Sequence, residues 1–149
     1  MTKKRGEYDT VRTERALYAA WSVVRANGLS SSSHETREEV KKFDQGLPRN
    51  IQRIARQLRE GKFVFAPAKG LLLKKKSGGS RPVVVAPIPS RIVQRAILDV
   101  VQATPAISRE LKSGFNFGGV EGPTFGVPGA IAKALEVSQH AGYFIRTDI

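Results

Sequence analysis

The sequence predicts an α+β protein in which helices precede and follow one basic β-hairpin. Three observations lead there. Apolar residues return at helical spacing in several windows, two β-prone runs flank a glycine turn between Gly70 and Val85, and a further β-prone run spans Tyr143–Ile149. At 149 residues the chain is long enough for a domain with a true core.

After a basic, frayed start at residues 1–6, the first helix is expected over about 9–27. Leu17, Trp21 and Val24 recur at i, i+4 and i+7, which makes Trp21 a core residue, and Gly28 stands where a helix stop belongs. Residues 29–33 form a serine-rich link. Ser32 with Glu35 three residues on has the pattern of a capping box, opening a second helix to about Asp44 with Val40 and Phe43 on its buried side. Pro48 suits the first turn of a third helix, with Ile51, Ile54 and Leu58 on one face and Gly61 as its stop. The other face carries Arg49, Arg53, Arg56 and Arg59. That row reads equally as a solvated face and as a track for a phosphate backbone.

Phe63-Val64-Phe65 is expected to be a short strand leading into the hairpin. In the hairpin, Leu71, Leu72 and Leu73 precede Lys74, Lys75 and Lys76; the turn Ser77-Gly78-Gly79-Ser80 follows, then Arg81, Pro82 and three valines. Pro82 cannot donate to a ladder, so its strand is an edge strand or begins there. Cations from both strands gather at the glycine end, an arrangement suited to gripping a polyphosphate; the plainer reading is a solvated basic turn. Ser90 can cap a helix running to about Gln102, with Ile92, Val93, Ala96, Ile97, Val100 and Val101 as a broad apolar face. Ile107 to Leu111 adds a helical turn. Residues 113–129 hold six glycines, two prolines and three phenylalanines, the composition of a loop where backbone comes close to a ligand. Pro128 begins a last helix, with Ile131, Ala134, Leu135 and Val137 apolar, ending near Gly142. The strand 143–149 then has no later segment to pair with. The expectation is that the chain is the front of a longer polypeptide, or that another chain completes it.

The formal charge is +12 and is unevenly spread. Residues 61–101 carry eight basic side chains against one acidic, residues 1–60 thirteen against eight, and residues 102–149 four of each. A footprint concentrated around the hairpin has nucleic acid as its most common partner. A membrane surface fits less well, because the basic segment reads as a hairpin and not as an amphipathic helix with aromatic anchors. The absence of cysteine excludes disulfide and thiolate chemistry, and His34 and His140 are too few and too far apart to suggest a metal cluster. No signal peptide and no apolar run of membrane-spanning length is visible, so the expected location is cytoplasmic.

Taken in order, the basic hairpin, RPVVVAPIPSRIVQRAIL, SGFNFGG, a helix and a strand ending FIRTDI resemble the N-terminal half of a bacterial reverse transcriptase of the group II intron, retron and defence-associated type, over roughly residues 20–149. The resemblance implies a right-hand polymerase: an N-terminal helical region at 1–60, fingers at 61–126, and the beginning of a palm at 127–149. It maps the triphosphate contacts to Lys75, with Lys74 close by, and to Arg81. The first catalytic, metal-binding carboxylate maps to Asp148, with the backbone carbonyl of Ile149 as the adjacent metal ligand. The helix bearing Arg91, Gln94 and Arg95 corresponds to the support of the template channel, and Gly114 and Phe115 to a loop near template–primer and nucleotide. Ser90 and Asn116 stand where the intron-encoded branch commonly has Asp and Arg, which fits a more divergent, defence-associated branch. The partners implied are an RNA template, a DNA primer or product and dNTP, together with a non-coding RNA or further polypeptide; no membrane is implied.

The implied chemistry accounts for these residue types. Phosphoryl transfer asks the protein to align a primer hydroxyl with the α-phosphate and to neutralise growing charge. Two Mg²⁺ ions about 3.5–4 Å apart supply most of that, held by carboxylates at palm strand ends. One Asp cannot hold two hard cations, so the remaining carboxylates are expected outside this chain. Without the resemblance Asp148 reads as a surface acid at a strand end. Two other readings stay open: an RNA-binding module that does no chemistry, and a polymerase-like subunit completed by a partner chain.

Overall fold

The computed structural model describes residues 6–74, 78–112, 116–119, 124–143 and 145, for Leu73 the backbone only. Seven helices and one two-stranded antiparallel hairpin lie among them, in the order α1 (Glu7–Val11), α2 (Glu14–Leu29), α3 (His34–Gln45), α4 (Leu47–Arg59), β1 (Lys69–Lys74), β2 (Ser80–Val85), α5 (Ile88–Ala103), α6 (Pro105–Leu111) and α7 (Gly126–Ser138). The mixed α+β class is therefore as the sequence predicts. The chain divides into two compact units, residues 1–101 and 102–149.

The first unit is built on α2. Leu17, Trp21 and Val24 are buried as their spacing requires, and they meet Val40 and Phe43 of α3 and Ile51, Ile54 and Leu58 of α4 in one core. Each such apolar side chain withdrawn from water contributes roughly 1.5–3 kcal/mol, so this cluster, more than helix propensity, holds these short helices in place. The Trp21 and Phe43 rings pack with centroids 4.8 Å apart. Asp44 then satisfies the polar edge of the contact, accepting from Trp21 Nε1 at 3.3 Å and from Arg25 Nε at 2.8 Å. Asn50 Nδ2 donates to the Phe43 carbonyl at 3.1 Å and ties α4 to the end of α3.

Several local expectations are corrected. The first helical segment is two helices, because Thr13 caps α2 by accepting from Ala16 N at 3.2 Å. Gly28 is no stop. It is buried inside α2, where the chain passes so close to α3 that an added Cβ would stand 2.5 Å from Val40 Cγ2. The N-cap of α3 is Ser33, accepting from Thr36 N, one residue later than the Ser32 pattern suggests. On α3 the Lys41 ammonium donates to Glu38 at 2.8 Å and holds that carboxyl below its ordinary value. Phe63-Val64-Phe65 forms no strand: a strand exists only against a partner, and here the Phe63 and Phe65 rings contact each other edge-on at 5.2 Å instead. Ser90 is not the cap of α5. The helix starts at Ile88, with the Arg91 N–H already bonded to the Pro87 carbonyl at 3.0 Å, and Ser90 is buried within its first turn. The apolar face of α5 is covered unevenly; Ile92, Val93 and Ala96 are buried and Val100 is half-buried against the same core, while Ile97 and Leu98 are exposed.

The Gly28 contact makes a direct prediction. Gly28→Ala gains about 1 kcal/mol of helix propensity but overpacks a stiff, buried valine at a cost of about 1–3 kcal/mol. The expected net loss is on the order of 1 kcal/mol, seen as a fall in Tm of roughly 2–4 °C by circular dichroism. In a Val40→Ala background, which opens the space, the same change should be neutral or stabilising. An equal loss in both backgrounds would show that the contact is not what excludes a side chain.

In the second unit, Pro105 opens α6, and α7 begins at Gly126, two residues before the expected Pro128, and ends at Ser138. The Gly126 N–H donates to the Phe117 carbonyl at 3.0 Å. Val127, Ile131 and Leu135 form an apolar row on α7 that is exposed. Tyr143 and Ile145 stand outside any strand; Phe144 and residues 146–149 of the expected terminal strand lie outside the described residues.

Candidate nucleotide and nucleic-acid interface

The hairpin register pairs Lys69 with Val85, Leu71 with Val83, Leu73 with Arg81 and Lys74 with Ser80. Side chains alternate between faces along a strand. One face therefore carries Lys69, Leu71, Arg81, Val83 and Val85, the other Leu72, Lys74, Ser80, Pro82 and Val84. The first face is the inner one: Val83 and Val85 are half-buried, whereas Leu72 and Val84 are about three-quarters exposed, at 75% and 71%. Gly78 and Gly79 both take positive φ, 85° and 77°, which closes the turn in a conformation that costs other residues strain. Lys74 and Arg81 are thus brought to the same end of the hairpin, on opposite faces. Lys75 lies outside the described residues.

At its base the hairpin is tied to α3 by Lys69, whose Nζ lies 3.2 Å from Glu35 and 3.9 Å from Glu39. Both partners are well exposed, so the tie contributes little stability and mainly fixes orientation. Val85 and Ala86 then form the wall between two grooves. One, of about 550 Å³, is largely apolar and is lined by Phe43, Pro67, Pro87 and Ile88 with Lys42 and Asn50. The other, of about 470 Å³, is polar. It gathers Arg91 and Gln94 from α5, Asn27 from α2, Ser31 from the link, Thr36 from α3 and Val84 from the hairpin.

Charge pairing sorts the cations of the hairpin and the segments that flank it. Lys62 faces Glu60 at 3.2 Å, Lys69 is held by Glu35, and Arg95 Nε lies 2.8 Å from Asp99 one helical turn on. Their charges are already offset. Lys74, Arg81 and Arg91 have no carboxylate within 4 Å among the described residues. Lys74 and Arg81 are exposed and Arg91 is half-buried in the polar groove, which leaves their donors free for an incoming anion. Of the residues the sequence singles out, then, Arg91 and Gln94 share one groove, Lys74 and Arg81 share one end of the hairpin, and Arg95 is engaged with Asp99.

Gly114, Phe115, Asp148 and Ile149 lie outside the described residues. Among the described residues no group of three His, Cys, Asp or Glu side chains is placed to hold a metal ion. No helix among them is long and apolar enough to cross a membrane. Asn27, Ser31 and Thr36 are groove residues that the sequence did not single out. The only signal was the serine-rich link itself, read there as a spacer. No protein-family model matches this chain, and no curated protein matches it.

Proposed function

We propose that this chain is the front portion of an RNA-directed DNA polymerase, comprising fingers and the beginning of a palm, and that in the intact protein it performs template-dependent nucleotidyl transfer. The observation that carries this reading is the arrangement of free cations around the hairpin. Lys74 and Arg81 at its glycine end face no carboxylate among the described residues, and β2 leads through Pro87 directly into the helix whose Arg91 and Gln94 line a polar groove with Val84 of the same strand. A planar guanidinium at the hairpin end can fork onto a triphosphate, and a half-buried arginine in a groove can hold a template backbone.

In this reading Mg²⁺, when bound, neutralises charge on the α-phosphate and the leaving pyrophosphate. Lys74 and Arg81, with Lys75, hold the β- and γ-phosphates; Arg91 and Gln94 position the template; and Asp148 and the Ile149 carbonyl contribute to the metal site, which needs carboxylates from further residues. The antiviral-defence role rests on the same resemblance and belongs to the same proposal.

The test is primer extension on an RNA template by the intact protein, with four dNTPs and Mg²⁺. Template-dictated incorporation is the expected result, and the 149-residue chain by itself should incorporate nothing, since it brings one assigned metal-binding carboxylate. Tight nucleic-acid binding without incorporation by the intact protein would favour a non-catalytic RNA-binding module.

A further inference from the structure

Helix α4 divides into two opposite faces. Ile51, Ile54, Ala55 and Leu58 are buried in the core, and Arg49, Arg53 and Arg56 project into solvent on the other side. At about 100° per residue these three guanidinium groups fall within about 60° of the helix circumference, over about 10 Å of its axis. None of them has a carboxylate within 4 Å among the described residues, and the helix contains no Asp or Glu. Glu60, which follows on the same side, is taken by Lys62. Arg59 sits apart, in a cleft with Asp9 and Glu14.

A face that serves only to keep a helix soluble is normally of mixed sign, because like charges three or four residues apart cost about 0.2–0.5 kcal/mol per pair. The neighbouring α3 follows that rule, with Lys41 paired to Glu38. The solvent face of α4 breaks it with arginine alone, the side chain whose fork matches phosphate. The helix has no aromatic residue on which bases could stack or by which a bilayer could anchor it. We infer that Arg49, Arg53 and Arg56 form a track for the phosphate backbone of a nucleic-acid duplex, a contact surface additional to the hairpin and its groove. It reads backbone and not sequence. The inference does not rest on the polymerase reading, since it requires neither nucleotide nor metal.

The test measures binding of the whole chain to a labelled mixed-sequence duplex of about 20 base pairs as salt is varied. The triple variant R49Q/R53Q/R56Q should flatten the slope of log K against log salt by about 2 to 3 and weaken binding at least about tenfold near 100 mM salt. The lysine triple, R49K/R53K/R56K, should keep the slope and lose part of the affinity, because charge remains and the fork is gone. Repeating the glutamine triple in an Arg81→Ala background should give the same slope change, which separates this face from the hairpin. Melting curves establish that the variants are folded; should the glutamine triple unfold, Arg53→Gln alone carries the test with a slope change of about 1. An unchanged slope overturns the inference. So does displacement of the duplex by poly-glutamate as readily as by unlabelled duplex at equal charge, which would mark a general polyanion or acidic-protein surface.

Discussion

Asp148→Asn is expected to abolish nucleotide incorporation by the intact protein while leaving its affinity for template–primer within about twofold. The substitution keeps the shape of the side chain and removes the charge that a hard divalent cation requires. If the metal supplies several kcal/mol of transition-state stabilisation, its loss lowers the rate by at least about 10³-fold, at 1.36 kcal/mol per factor of ten. Binding should persist because the cations assigned to nucleic acid lie elsewhere, on the groove and on α4. Raising Mg²⁺ or substituting Mn²⁺ does not replace the missing charged ligand, so the comparison rests on kcat under saturating wild-type conditions. Normal synthesis by Asp148→Asn protein would remove the polymerase assignment, since no other residue of the terminal segment is assigned as a side-chain metal ligand.

Arg81→Ala should weaken nucleotide use far more than template binding. Arg81 is exposed, faces no carboxylate among the described residues, and sits opposite Leu73 two residues beyond Gly79. Removing it therefore costs the fold little, within about 0.5 kcal/mol, and any large kinetic effect belongs to the ligand. Losing one charge-assisted phosphate contact is worth on the order of 1.5–3 kcal/mol, or roughly a ten- to hundredfold fall in kcat/KM for dNTP. Arg81→Lys should recover part of that loss, because an ammonium supplies the charge without the planar fork. The groove provides the contrast. Arg91→Ala should move the template term and leave nucleotide kinetics unchanged at saturating template. Steady-state kinetics with nucleotide and template varied separately decide between them; if Arg81→Ala moves only the template term, the hairpin is a backbone contact and not a nucleotide site.

Local pattern determined much of this protein from sequence alone. The spacings Leu17/Trp21/Val24, Val40/Phe43 and Ile51/Ile54/Leu58 place those residues in the core because a helix returns to the same face every three or four residues, and they are buried. The turn at Gly78–Gly79 fixes the hairpin because its backbone needs positive φ. Tertiary contact decided what no local pattern encodes. Whether Gly28 ends a helix or lies inside one depends on how closely Val40 approaches from α3. Residues 63–65 have strand-like side chains and no strand, since β structure requires a partner chain segment to take its hydrogen bonds. A bare count of basic residues could not tell Lys69 and Arg95, which meet carboxylates, from Arg81 and Arg91, which meet none among the described residues. Nor could it show that Asn27, Ser31 and Thr36, remote in sequence from Arg91, would line one groove with it. Such pairings depend on distances across the fold, and those are set only when the helices pack.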